Sequence, residues 1–145
     1  MEYSDVFNRV YKNYISIRKI KLQENHFMAL VTALPALIVA KADGVVDAKE
    51  KEYLQQIADN LAIQFSSDED VKKLSEVFCK EFDYILNHLS DWQIDFIELN
   101  AEYLNEHPEK KEEIKKRIIE VAEVSNGICE EEKMFIDHLI NTLSL

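Results

Sequence analysis

The sequence predicts an all-α protein, a single compact domain of about seven helices, and three observations carry that prediction. Gly and Pro number only 2 each in 145 residues, where an average chain of this length carries about 10 Gly and about 7 Pro. The tight turns of all-β folds and the glycine-rich phosphate loops of parallel α/β nucleotide folds are therefore excluded. Apolar residues recur at helical spacing along nearly the whole chain. With 47% hydrophobic residues, a chain this long buries roughly two thirds of its unfolded surface and needs no disulfide or metal staple.

The elements follow in order. Val6, Phe7, Val10, Tyr14 and Ile17 make a first helix over about 4–20, with Ser4 as its N-cap. Asn25 is placed to cap a second, in which Phe27, Leu30, Val31, Leu34, Leu37 and Ile38 leave almost no polar face before Lys41. That helix belongs at the centre. Pro35 removes one backbone donor inside it, so a kink or restart is expected near Leu34. Asp43-Gly44 breaks the run, and Asp47 with Glu50 has capping-box spacing for a third helix carrying Leu54, Ile57 and Leu61. Ser67 to Asp70 repeats that spacing ahead of a fourth helix striped with Leu74, Phe78, Phe82 and Ile85. Ser90 and Gln93 open a fifth, with Trp92, Phe96, Leu99 and Tyr103 as its buried side. His107-Pro108 ends it, Pro108 starts a sixth with Ile114, Ile118 and Val121, and the seventh follows Asn126-Gly127.

Charge and cysteine content narrow the function. Residues 1–21 carry a net +3, leaving −14 of the total −11 charge for the rest. Such a field repels nucleic acid, anionic lipid and free oxyanions, and attracts divalent cations and basic partners. The longest apolar stretch, Phe27–Ala40, is 14 residues and contains Thr32 and Pro35, short of the ~18 that span a bilayer, so no stable membrane insertion is expected. Cys79 and Cys129 stand 50 positions apart with no ligand-spaced thiol beside them, which fits a reducing compartment. Glu2 and Asp5 occupy the place where a secretory signal carries basic residues, so the expected location is cytoplasmic.

The two glycines, Gly44 and Gly127, each follow a small polar residue between an apolar and an acidic helix. Superposing them at an offset of 83 lays Ala40–Asp47 over Glu123–Glu130, with Asn126 over Asp43 and Glu130 over Asp47. Two pseudo-repeated helix-loop-helix halves would then share one core. Asp43 to Glu50 resembles the second half of a calcium-binding EF-hand loop. Counting back, however, puts the first and third ligand positions on Val39 and Lys41, which cannot hold a hard cation.

Ala42-Asp43-Gly44-Val45-Val46-Asp47-Ala48-Lys49-Glu50, echoed in degenerate form by Ser125-Asn126-Gly127-Ile128-Cys129-Glu130, resembles the TerB-like tellurite-resistance family, whose domain also occurs beside J-domains. The resemblance covers about residues 25–143 and implies an all-helical domain of two similar halves, with an acidic cluster proposed to bind a divalent metal. It divides the chain into a basic N-terminal helix, 1–24, packed on a TerB-like domain, 25–145. By resemblance, the metal role falls on Asp43, Asp47 and Glu50, and a site shared between halves adds Asn126 and Glu130. Asn126 stands where Asp is usual, and Lys133 where Glu is usual.

Hard carboxylate oxygens suit Ca²⁺, Mg²⁺ or Mn²⁺ as the cofactor. Capping accounts for Asp47 and Glu50 by spacing alone and needs no ligand, because acids in a first helical turn are ordinary dipole chemistry. Glu130, Glu131 and Glu132 are open to the same explanation. The four histidines, His26, His88, His107 and His138, lack di-iron or zincin spacing and read as surface or cap residues. Cys79 reads as core. Acids beside Cys129 argue against a nucleophile there. No Ser-His-Asp, Cys-His or paired-carboxylate arrangement is assigned by spacing, so the expectation is a binding module in tellurite resistance or general stress response and not an enzyme. Other proteins are its expected partners, a second copy of the chain among them, and the basic first helix is expected to pair with the protein's own acids or with an acidic partner. The alternative is a pure protein-interaction scaffold whose Asp-Gly junctions are only caps.

Overall fold

The structure, a computed structural model, describes residues 3–41, 46–65, 70–124 and 130–145. They form α1 (Tyr3–Arg18), α2 (Glu24–Ala40), α3 (Ala48–Phe65), α4 (Val71–Asn87), α5 (Leu89–Glu106), a 3₁₀ turn (Pro108–Lys110), α6 (Lys111–Val124) and α7 (Glu130–Leu143). No strand occurs among the described residues. The fold class is all-α in a single domain, as the spacing of apolar residues predicts. The two glycines on which the repeat alignment turns lie outside the described residues.

α2 is the hub because its sequence is apolar around its whole circumference. From His26 to Ala40 only Thr32 escapes full burial, and α3, α4, α5, α6 and α7 all pack against it. The helix runs unbroken through Pro35. A proline there cannot donate to the carbonyl four residues back, which is that of Val31. The Asn100 side chain on α5 supplies the missing donor: its Nδ2 donates to Val31 O at 2.7 Å and to Phe96 O at 3.1 Å. Asn100 is fully buried, and with both amide hydrogens so used, its Oδ1 accepts no hydrogen bond among the described residues.

Helix ends differ from the sequence reading in small, explicable ways. Asn25 lies inside α2, whose N-cap is Gln23. The N-cap of α4 is Asp70, accepting from Lys72 N at 2.9 Å, while Ser67 lies outside the described residues. His88, not Ser90, separates α4 from α5. Its Nδ1 meets Tyr84 O at 2.7 Å, its N–H donates to Ile85 O at 3.0 Å, and Lys41 Nζ donates to Leu86 O at 2.5 Å. Three carbonyls that the end of α4 leaves without helical partners are satisfied in this way, and Lys41 ties the end of α2 to the end of α4. Pro108 opens a 3₁₀ turn before α6 begins.

α1 is held by apolar burial and by ion pairs. Val6, Phe7, Val10 and Tyr14 are buried, and α1 packs on α5. Glu81 of α4, only 2% exposed, accepts from Tyr14 Oη at 2.6 Å and takes a two-pronged contact from Arg18, with Nε at 2.7 Å and a terminal nitrogen at 2.8 Å. Fork-shaped geometry of this kind suits a buried carboxylate. The Arg18 guanidinium also lies 4.2 Å from the Tyr84 ring centre, and Tyr84 Oη accepts from Trp92 Nε1 at 2.9 Å. Arg9 pairs with Asp95 at 3.3 Å and Glu98 at 3.0 Å on α5.

Candidate functional site: the α2–α3 junction

The segment that leads from α2 into α3 ends in a reciprocal cap at the start of α3. Asp47 Oδ1 accepts from Glu50 N at 2.8 Å, and Glu50 Oε1 accepts from Asp47 N at 3.1 Å. Lys51 N donates to Asp47 O at 3.0 Å, the first helical bond of α3. This is the capping box that the Asp47-to-Glu50 spacing predicts, and it satisfies orphan donors at both residues. The two acids are placed differently. Asp47 is exposed, whereas Glu50 is fully buried.

Of the five residues expected to hold a cation, Asp47 and Glu50 lie side by side. Asp43 and Asn126 lie outside the described residues, and Glu130 opens α7 with its side chain likewise outside the description. Among the described residues no three carboxylate, imidazole or thiol groups converge in a way that could hold a metal ion. The available donors are hard oxygens, which match Ca²⁺, Mg²⁺ or Mn²⁺. Asp47 fits such a role from its exposed cap. Glu50 fits less well, because a cation on its Oε1 would have to displace the Asp47 N–H.

Beside the junction, Lys49, Glu52, Tyr53, Gln56, Glu120 and Glu123 line an open depression of about 590 Å³ between α3 and α6. Tyr53 Oη donates to Glu120. Burial, followed by the Glu120 hydrogen bond, pushes the Tyr53 phenol well above its usual range. The depression is thus a place where a carboxylate is held by a neutral phenol.

His26 departs from the surface role expected of the histidines. It is 4% exposed, its Nε2 lies 3.1 Å from Phe65 O, and its ring edge meets Phe78. The signal was available only in the apolar run that follows it, Phe27 to Val31, since Gln23, Glu24 and Asn25 before it are polar. His88 and His107 sit at helix ends and His138 is exposed. Cys79 is half-buried on the rim of the core, its Sγ 3.1 Å from Gln55 Oε1. Burial and then the nearby Asp59 push its thiol up, which keeps it protonated and weakly nucleophilic. Cys129 lies outside the described residues. Sequence spacing did not assign a partner to Glu81, although Phe78, Glu81 and Ile85 share one face of α4. A carboxylate on an apolar stripe marks a buried ion pair.

Among the described residues, six helices surround one apolar helix, and α3 opens on a reciprocal cap, which defines a small all-helical domain. A family model described as tellurite resistance protein TerB matches residues 29–145, and the chain belongs to that family. The matched span begins within α2, so α1 precedes it. No curated protein and no solved structure matches the chain.

Proposed function

We propose that this protein is a cytoplasmic, non-catalytic binding module of a tellurite-resistance or general stress-response system, and that its ligand is a divalent cation, Ca²⁺, Mg²⁺ or Mn²⁺, taken at the α2–α3 junction. Membership of the TerB family supports the physiological setting. The observation that carries the cation reading is the exposed Asp47, pinned by its cap four positions after Asp43 in the sequence. Asp43 and Asp47 are the first ligands, Glu50 is mainly the cap partner, and Asn126 and Glu130 extend the site if the second junction folds against the first. Affinity is weak, because the N-terminal end of α3 carries partial positive charge that opposes a cation. Tellurite itself is not the direct ligand: a doubly charged oxyanion meets a chain of net charge −11 and is repelled unless a bound cation intervenes.

A second reading has its own support. The reciprocal cap accounts for both Asp47 and Glu50 without any ligand, as expected of a pure protein-interaction scaffold. Calorimetric titration with Ca²⁺, Mn²⁺ and Zn²⁺, on the wild type and on Asp43→Ala/Asp47→Ala, separates the two. The cation reading expects heat in the wild type that the double substitution abolishes. Heat that survives the substitution removes this site, and the absence of heat favours the scaffold.

A further inference from the structure

Between α1, the α1–α2 link and α4 lies a groove of about 480 Å³, floored by Tyr11, Ile15, Ile20, Leu74 and Val77. Its outer edges are basic. At 100° per residue, Lys12 lies on the outward edge of α1 beside Ile15, Lys19 follows directly after the end of α1, and Lys73 and Lys80 share the outward edge of α4 beside Val77. All four are exposed, and Lys21 lines the groove itself. None of these five lysines makes an ion pair among the described residues, in contrast to Arg9, Arg18 and Arg117 on the same protein. Glu76 lies a further step round α4, away from Val77. Val77 itself is 38% exposed.

An apolar trough with cationic edges, on a chain of net charge −11, is complementary to one kind of occupant. We infer that this groove docks an acidic amphipathic helix of a partner protein. The partner's apolar stripe lies on Ile15, Ile20, Leu74 and Val77, and its flanking carboxylates meet the lysines of α1 on one side and of α4 on the other. A helix fits because its anchors at i, i+3, i+4 and i+7 form a narrow stripe between two polar flanks. An anionic membrane fits less well, since it would bring the whole negative protein against a negative surface. This groove lies away from the α2–α3 junction, and the inference is independent of the cation reading.

The test uses the full chain and a fluorescein-labelled synthetic helix of about 18 residues, long enough to be helical on binding, with a leucine stripe flanked by Glu. A second helix with the same stripe flanked by Lys, and phosphatidylserine–phosphatidylcholine vesicles, serve as rivals. Fluorescence anisotropy is expected to show the Glu helix binding, with affinity falling at least about tenfold on Lys12→Glu/Lys19→Glu/Lys73→Glu/Lys80→Glu and falling with added salt. Val77→Ser is expected to weaken binding without altering charge. The four lysines lie outside the core, and circular dichroism and thermal melting confirm that the variant is folded before it is used. Failure of the Glu helix to bind the wild type, equal binding to the charge-reversed variant, equal binding of the Lys helix, or preferential adsorption to the anionic vesicles each overturns the inference.

Discussion

Replacing Asn100 with Leu removes the side chain that covers the Val31 carbonyl while leaving the volume of the site nearly filled. Two hydrogen bonds disappear, at 2.7 Å to Val31 O and 3.1 Å to Phe96 O. Phe96 O retains its helical partner, the N–H of residue 100, so its loss is minor. Val31 O does not, because residue 35 is proline. Val31 is fully buried, and an unsatisfied buried carbonyl costs about 1–3 kcal/mol. Taking about 2 kcal/mol, a protein of this size loses roughly 4–8 °C in Tm. The mechanism is isolated by making the same change in a Pro35→Ala background, where an N–H at residue 35 reaches Val31 O through the ordinary helical ladder. There Asn100→Leu is expected to cost less, with a coupling of about 1 kcal/mol between the two positions. Urea unfolding of the wild type, both single variants and the double variant measures the cycle. Additive effects, within about 0.3 kcal/mol, would refute the pairing of Asn100 with the proline's stranded carbonyl.

Other outcomes follow from the same structure. Asp47→Ala is expected to lower stability by about 1 kcal/mol through loss of the reciprocal cap, measured as a shift in urea midpoint at unchanged slope. Glu81→Gln, which leaves Arg18 and Tyr14 without their carboxylate, is expected to cost about 2–3 kcal/mol after allowance for the partial exposure of Arg18, read from thermal melts. Burial pushes the Tyr3 phenol up to about 12 and raises Tyr14 and Tyr53 as well, with hydrogen bonds to Glu81 and Glu120 as the second causes. A phenol whose folded pKa exceeds its unfolded value near 10 contributes stability in full below pH 10, and that contribution disappears as pH rises through the folded value. Stability is therefore expected to fall from pH 10 upward, and phenolate absorbance is expected to appear later in the folded protein than in urea. In a Cys129→Ser variant, the raised Cys79 thiol is expected to react with Ellman's reagent more slowly in the folded than in the unfolded state.

The helices were legible because each carries a stripe of apolar residues at 3.6 spacing, and the hub was legible because α2 has almost no polar side. The cap at Asp47 was legible too, since a capping box is local and needs only residues three apart. What depended on distant residues was not. Pro35 announces a stranded carbonyl at Val31, but nothing in the sequence says that Asn100, 69 positions later, supplies the donor. Arg18 and Glu81 are 63 positions apart, and only the tertiary fold brings them together. At the junction, Asp47 and Glu50 pair locally and are visible in the sequence. The shared site expected from Asp43, Asn126 and Glu130 depends on tertiary placement, which spacing does not determine.

The most direct measurement is manganese-induced broadening of amide resonances in the ¹⁵N-labelled full chain. Binding at the α2–α3 junction predicts that substoichiometric Mn²⁺ bleaches the amides of residues 43–50 before any others, and that excess Mg²⁺ or Asp43→Ala/Asp47→Ala restores them. Broadening that begins elsewhere on the acidic surface, or that spreads evenly over it, contradicts the assignment.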